Sequence, residues 1–253
     1  MSYLIAFLAL ISMIVIHELG HYLAGRMFKV PISEFSVGMG KQLFTTRPDS
    51  YGTAWSIRLF PFGGYCQFGG DGMTDDIVLE SIPSYQKFII CLAGPFMNFI
   101  YAFVVTIIAV TYQIWGKGGI FLILKNTITL MGVYGTMVIS ALKMLITDAS
   151  KISEMCSAVG AVSLVGNIAI AKGWLEFTLI LCAISVNLGI MNLLPIVGFD
   201  GWKCLESIYS MITRRKLSEK LVYALGAVSM SLILGLSVYL MLNDVLKIIS
   251  GQI

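Results

Sequence analysis

Two histidines and a glutamate interrupt an apolar run near the start of the chain, in the segment Ile14-Val15-Ile16-His17-Glu18-Leu19-Gly20-His21. If residues 2–23 form one helix, His17 and His21 lie four positions apart on one face, where both imidazoles can reach one ion. This H-E-x-x-H spacing suits zinc, and the glutamate can take a proton from an activated water without being a ligand. The pattern predicts a zinc site with Glu18 as the candidate general base.

The alternative interpretation is that His17 and His21 are packing residues and that Glu18 beside them is incidental. These are the only two histidines in the chain, and they occur together inside an apolar run. Ionisable residues within a lipid-spanning segment are costly, and they usually mark a functional site. We therefore prefer the metal site.

A third ligand is needed, because a catalytic zinc site has three protein ligands and one open position. Asp200 follows a later apolar run, and Pro195 and Gly198 interrupt the helix just before it. A broken span can turn a carboxylate towards a buried ion. Taken alone, Asp200 would be interpreted as a solvent-exposed acidic residue in a loop. The histidine pair makes it the candidate third ligand.

The composition is that of an integral membrane protein. Hydrophobic residues make up 57% of the chain and charged residues 12%, and the mean hydropathy is +0.86. A soluble domain of 253 residues could not bury so much apolar surface. The formal charge of +3 is spread out, so we expect no nucleic-acid partner. The five cysteines show no C-x-x-C spacing, which argues against a disulfide framework or a thiolate metal site.

The apolar runs predict an α-helical polytopic fold of about four transmembrane helices within one membrane-embedded domain, residues 1–253. The expected spans are listed here: 2–23, 88–115, 174–194 and 221–242. Residues 124–146 are interpreted as an extracytoplasmic amphipathic helix at the interface, because Lys125, Lys143 and Asp148 accompany the apolar residues. A fifth span is the alternative for this segment.

Residues 51–68 have a different pattern, with aromatic and β-branched residues followed by Pro61, Gly63 and Gly64. This mixture predicts a small membrane-associated β-hairpin or sheet. Either the hairpin is exposed to water, or it dips into the membrane, where irregular backbone must be covered by protein or line a wet cavity.

The distribution of basic residues predicts the orientation. No Lys or Arg precedes Arg26, so the first span lacks the positive segment of a signal peptide and is expected to be retained. Arg26 and Lys29 follow the first span, and Arg214, Arg215 and Lys216 lie in the loop before the last span. The positive-inside rule places both loops in the cytoplasm, with both termini extracytoplasmic and the active site opening to the cytoplasm.

Two motifs together resemble the site-2 protease family of intramembrane zinc metalloproteases, and most closely its bacterial regulator of sigma-E protease branch. His17-Glu18-Leu19-Gly20-His21 matches the zinc-binding motif of the family, and residues 192–201 match its second motif, N-x-x-P-x-x-x-x-D-G. The resemblance implies that Asp200 is the third zinc ligand and that Asn192 contacts the substrate backbone.

Further segments resemble the same branch. Residues 35–40 and 61–65 are similar to the segments around its membrane-reentrant β-loop, and Ala93-Gly94-Pro95 with Asn98 is similar to the start of its second span. Two departures are Ala161 and Val197, which stand where prolines are usual. The loop between the second and third expected spans is also too short for the PDZ domains that this branch usually carries there.

The resemblance implies a zinc-dependent endopeptidase of the bacterial inner membrane that cuts within or next to the transmembrane segments of membrane proteins. An anti-sigma factor, a remnant signal peptide or a pheromone precursor would be substrates of this type. We expect an extended substrate to bind by strand addition to the apolar strand made of Gly64, Tyr65, Cys66, Gln67 and Phe68. The alternatives are a catalytically silent homologue that binds membrane partners, and a metal or proton transporter that uses intramembrane His and Asp.

Overall fold

The computed structural model describes residues 2–69, 75–114, 119–147, 160, 162–163, 165–167 and 173–249. The elements that concern the site are, in chain order, α1 Ser2–Met27, β1 Ile32–Thr45, β2 Ala54–Phe68, α2 Asp75–Ser81, α3 Ser84–Ile114, α4 Ile120–Thr147, α5 Trp174–Asn192, α6 Asp200–Thr213 and α7 Glu219–Ile249. By its packing the chain divides into two units: Met1–Leu10, Phe99–Ile190 and Met230–Ile253 form one, and Ile11–Asn98 with Met191–Ser229 forms the other.

Five of the described helices are long and apolar enough to cross a bilayer, namely Tyr3–Met27, Ser84–Ile114, Ile120–Met144, Trp174–Asn192 and Lys220–Lys247. The shortest has 19 residues, and at 1.5 Å per residue it spans about the 30 Å of a hydrocarbon core. The predicted class, a helical polytopic membrane protein with a small sheet, is confirmed. The second expected span begins earlier than expected, at Ser84, and its expected end at Trp115 lies outside the described residues.

Helix α4 differs from the expected interfacial helix at 124–146. Its segment Ile120–Met144 has a mean hydropathy of 1.4 and meets the length and composition of a span, so a fifth span, the alternative interpretation of this segment, fits it better. Lys125 and Lys143 lie near the two ends of the helix, where long side chains can extend their amines to the interface. Asp148, the third charge that argued for an interfacial helix, lies outside the described residues.

The first unit has a small core in which α4 packs with α3 and α5. Cys182 and Val186 of α5 are buried against Ala102 of α3, with Met131 and Tyr134 of α4 packed around them. Contact of α4 with two other candidate spans agrees with its length and hydropathy.

The sheet lies in the second unit, and the first of its two strands was not predicted. Strands β1 and β2 are antiparallel, with an irregular register. Phe35 of β1 pairs with Cys66 on one side and with Trp55 on the other, so the first half of β1 lies between two segments of β2. Residues 64–67 pair only with β1 among the described residues, and they therefore form an outer segment of the sheet.

Aromatic packing holds this sheet against α1 next to the histidine pair. The rings of Tyr22, Phe35 and Trp55 contact one another, with centroids 4.8 to 5.8 Å apart. Phe68 is buried in the same cluster and packs where a side chain at Gly25 would stand. Because Tyr22 directly follows His21, this cluster sets the position of the sheet relative to the candidate metal site.

Candidate zinc site

His17 and His21 lie on one face of α1, as the spacing predicts. Their side chains are buried, and their rings meet edge to face with centroids 4.9 Å apart. The two Nε2 atoms are 3.2 Å from each other. From His21 to the C-terminal end of α1 at Met27 the helix rises about 9 Å, so the pair lies inside the apolar helix and not at its end.

Helix α3 orients both imidazoles through their other nitrogen. Nδ1 of His21 is 2.8 Å from the carbonyl oxygen of Ile90, to which it can only donate. Nδ1 of His17 is 3.1 Å from the side-chain amide nitrogen Nδ2 of Asn98. Rotating the amide by 180° exchanges its nitrogen and oxygen, and the oxygen can then accept the proton of Nδ1. Both Nε2 lone pairs are then available to a metal, which is how outer partners commonly orient metal-binding histidines.

Asp200 is brought to the histidines by the turn after α5. Helix α5 ends at Asn192, Gly198 has a φ of 108°, and α6 begins with Asp200 after the extended residue Phe199. A side chain on Gly201 would collide with the carbonyl of Leu193, so glycine is needed for this close turn.

The carboxylate of Asp200 completes a group of three donor atoms. Its Oδ2 is 3.1 Å from Nε2 of His17 and 3.3 Å from Nε2 of His21. Burial raises the pKa of the Asp200 carboxyl. When the imidazoles carry protons on Nε2 in place of a metal, their charges and hydrogen bonds outweigh burial, so this pKa lies below its usual range. Asp200 is therefore ionised, as a zinc ligand must be.

This group fits zinc. Donors bound about 2.0 Å from a tetrahedral zinc lie roughly 3.3 Å from one another, and the three distances here are 3.1 to 3.3 Å. Gly94 of α3 leaves open space beside the donors, since a Cβ there would overlap Nε2 of His21 and lie 2.9 Å from Cε1 of His17. Three lone pairs that converge on one point require a cation or protons between them.

Glu18 lies between the three ligand candidates and the outer segment of the sheet. It is partly buried, and its carboxylate accepts a hydrogen bond from the backbone N–H of Cys66. Gly64 allows this approach, because a Cβ at that position would be 3.3 Å from Cγ of Glu18 and still closer to the carbonyl oxygen of Ser36. The candidate base thus lies next to the strand that we expected to hold the substrate.

The comparisons with known proteins agree with this chemistry. The sequence profile of peptidase family M50 matches residues 5–236. The chain belongs to peptidase family M50. The match confirms the predicted family and, with the names of the relatives, the zinc metalloprotease class.

Two bacterial relatives, both named as candidate zinc metalloproteases, show how the similarity is distributed. A protein of Fusobacterium nucleatum is 43% identical over 119 residues, which cover 46% of this chain and 34% of that protein. A protein of Clostridium acetobutylicum is 27% identical over 329 aligned positions, which cover 95% of this chain and 96% of the relative. Since those positions outnumber the 253 residues of this chain, the Clostridium protein carries additional residues within the matched region.

Tyr65, Gln67 and Asn192 were also predicted to bind substrate, and none of their described hydrogen bonds joins the ligand group. The Tyr65 hydroxyl donates to Glu34 at 2.9 Å, and burial together with this contact raises the pKa of Tyr65 to about 12. The Gln67 carbonyl accepts from Ser33. Asn192 is the last residue of α5, and within the described part of the chain no hydrogen bond links it to the ligand group.

Three contributors from α3 received no role from the sequence: the carbonyl of Ile90, the space at Gly94 and the amide of Asn98. A backbone carbonyl gives no sequence signal. Asn98 is fully buried, and a polar side chain within a spanning run was a signal that could have identified it.

Proposed function

We propose that the chain is a zinc-dependent intramembrane endopeptidase that hydrolyses peptide bonds within or beside the transmembrane segments of other membrane proteins. The observation that carries the proposal is the convergence of the donor atoms of His17, His21 and Asp200 at 3.1 to 3.3 Å, with both histidines inside an apolar helix. Glu18 beside the group favours a peptidase over a transporter, because transport of a metal or proton needs no base next to the ligands.

In this mechanism His17, His21 and Asp200 bind the metal, and Ile90 and Asn98 orient the imidazoles. Bound zinc supplies Lewis acidity, which polarises the scissile carbonyl and lowers the pKa of water. A Glu18 carboxylate oxygen takes the proton from the attacking water and then delivers it to the leaving amine nitrogen. The N–H of Cys66 holds this carboxylate in place.

The substrate binds as an extended strand along residues 64–68. Support comes from the position of this segment, which is an outer segment of the sheet and lies against Glu18. A transmembrane helix must unwind before its peptide bonds can be attacked, and strand addition would stabilise the unwound segment through backbone hydrogen bonds. Anti-sigma factors, remnant signal peptides and pheromone precursors are the substrate types that we consider.

The active site opens to the cytoplasm, and both termini are extracytoplasmic. Ile90 and Asp200 both contact His21, so the start of α3 and the end of α5 lie on the same side of the membrane as the end of α1. The chain must then cross the membrane an even number of times between the end of α3 and the start of α5, and a spanning α4 can be only one of those crossings. The basic residues Arg26 and Arg215 then lie on one side, which the positive-inside rule assigns to the cytoplasm.

The test is cleavage of a single-span membrane protein by the purified chain in lipid nanodiscs, with the products identified by mass spectrometry. We expect a cut within or beside the span, loss of cleavage after chelation, and recovery with added zinc. Cleavage that is unaffected by chelation, or confined to regions far from the membrane, would contradict the proposal.

A further inference from the structure

A cavity of about 800 Å³ lies in the second unit, apart from the zinc ligands, none of which lines it. Its walls come from the end of α2, the start of α3, the C-terminal half of α6 and residues 214–223. No step of the proposed peptidase mechanism uses it.

The cavity carries an excess of positive charge. Its described lining has five cationic side chains and two carboxylates, which are Lys87, Arg214, Arg215, Lys216, Lys220, Glu80 and Glu206. Both carboxylates are already paired, Glu206 with Lys87 at 2.6 Å and Glu80 with Lys216 at 2.8 Å.

Three cations remain, Arg214, Arg215 and Lys220, and none has a carboxylate partner within the described residues. Arg214 also has an unusual backbone. It ends α6 in the left-handed conformation, with a φ of 55°, which is uncommon for a residue other than glycine. As the C-cap of α6 it lines the cavity, directly before Arg215.

The cavity lies at the depth where spanning helices begin. The candidate spans Ser84–Ile114 and Lys220–Lys247 both start in its wall, and Lys87 and Lys220 lie in their first turns. Tyr223 also lines it and is 80% exposed, as is typical of aromatic residues at the membrane–water interface. An anion bound here would be at the level of the lipid headgroups.

We propose that this cavity binds the phosphate group of an anionic ligand. Two arginine forks and an ammonium group suit phosphate oxygens, because guanidinium groups can donate two parallel hydrogen bonds. An anionic phospholipid headgroup and a soluble phosphate compound share this chemistry, and the depth of the cavity favours the lipid. If the cations only set the membrane orientation, binding would be weak and spread over all basic residues.

The experiment uses the purified full chain in phosphatidylcholine nanodiscs, with bound lipids counted by native mass spectrometry as phosphatidylglycerol is added. A second arm adds inorganic phosphate or ATP to discs of phosphatidylcholine alone. The cavity variant is Arg214→Gln/Arg215→Gln/Lys220→Gln. The charge-matched control is Lys41→Gln/Lys125→Gln/Lys143→Gln, which removes three cations elsewhere.

We expect one saturable site, with affinity reduced about tenfold or more in the cavity variant, since charged hydrogen bonds are lost, and unchanged in the control. Saturable binding of inorganic phosphate or ATP, without binding of phosphatidylglycerol, would show that the ligand is a soluble phosphate compound and not a lipid headgroup. Equal losses in both variants, or no saturable binding in either arm, would overturn the proposal. Zinc content reports folding, and if the triple variant does not fold, Arg215→Gln and Arg215→Lys are compared in its place.

Discussion

The residues that would hold zinc depend on partners that never touch the metal. His21 donates to the Ile90 carbonyl, and His17 meets the Asn98 amide. The Ile90 contact sets the tautomer of His21, and the Asn98 amide sets that of His17 when its oxygen faces Nδ1, so that both Nε2 atoms are available. Removing such an outer partner typically lowers metal affinity 10- to 100-fold.

Asn98→Ala should therefore weaken zinc binding by about 10- to 100-fold while leaving the three ligands in place. The matched control is Thr106→Ala, which removes another buried polar side chain of α3, one that bonds to Ala102 of its own helix and to Cys182 of α5. Zinc affinity is measured by competition with a fluorescent chelator. Equal affinities for the two variants would show that Asn98 does not orient His17.

Gly94→Ala tests whether the space beside the imidazoles is needed. The added methyl group would overlap His21 and displace it, which should lower zinc affinity roughly tenfold or more through overpacking. Gly132→Ala on α4 is the control, because nothing lies within 4 Å of its added Cβ. Zinc per purified chain provides the measurement, and full zinc content in Gly94→Ala would refute the crowding argument.

At the scale of the elements, the sheet is attached to α1 by aromatic packing and joined internally by a polar cluster. Glu34 accepts hydrogen bonds from Ser56, Arg58 and Tyr65. Burial alone would raise the pKa of Glu34, but these bonds prevail and hold it below the usual value. The ionised cluster joins β1 to both flanking segments of β2 and keeps the outer segment beside Glu18.

The backbone of that outer segment should matter more than its side chains. Cys66→Pro removes the N–H that bonds Glu18. Gln67→Pro fixes φ and removes the adjacent N–H, which in an extended strand points to the opposite edge, towards β1. Both should slow cleavage by about tenfold or more, as expected for the loss of a charged hydrogen bond or of a backbone bond that holds the outer segment in place. The matched variants Cys66→Ala and Gln67→Ala should cut nearly normally.

Side-by-side cleavage rates with zinc content measured in parallel decide this point. Substrates with helix-breaking residues in their transmembrane segment should be cut faster, because exposing their backbone costs less. Normal cleavage by both proline variants, together with no influence of substrate helix stability, would mean that the strand is only structural.

At the scale of the whole molecule, features that follow from short spacings were predictable, and features that depend on distant pairs were not. The proximity of His17 and His21 was predictable because residues four positions apart lie on the same face of a helix. The contact between Asn98 and His17 joins residues 81 positions apart, and no local pattern indicates it. Strand β1 was missed because its glycines at 38 and 40 interrupt the apolar alternation. The length and composition of helix α4 fit a span, and the interfacial interpretation gave weight to its lysines without regard to their places near the helix ends.

The proposed orientation makes a prediction for the whole chain. With the native cysteines replaced, Arg47→Cys in the β1–β2 connection and Arg215→Cys should react only from the cytoplasmic side with a membrane-impermeant thiol reagent. Gly119→Cys, between α3 and α4, should react only from the outside. Labelling of residues 47 and 215 from opposite sides would contradict the proposal that both lie on one side of the membrane. Reversed labelling of all three cysteines would mean that the active site opens to the extracytoplasmic side.

The most direct test of the zinc endopeptidase compares Glu18→Gln with Asp200→Ala, with zinc content and cleavage measured on the same purified samples. Glu18→Gln should retain about one zinc per chain and lose cleavage, since it removes a base but no ligand. Asp200→Ala should lose both zinc and cleavage. Wild-type turnover by Glu18→Gln, or full zinc in Asp200→Ala, would contradict the roles assigned to these residues.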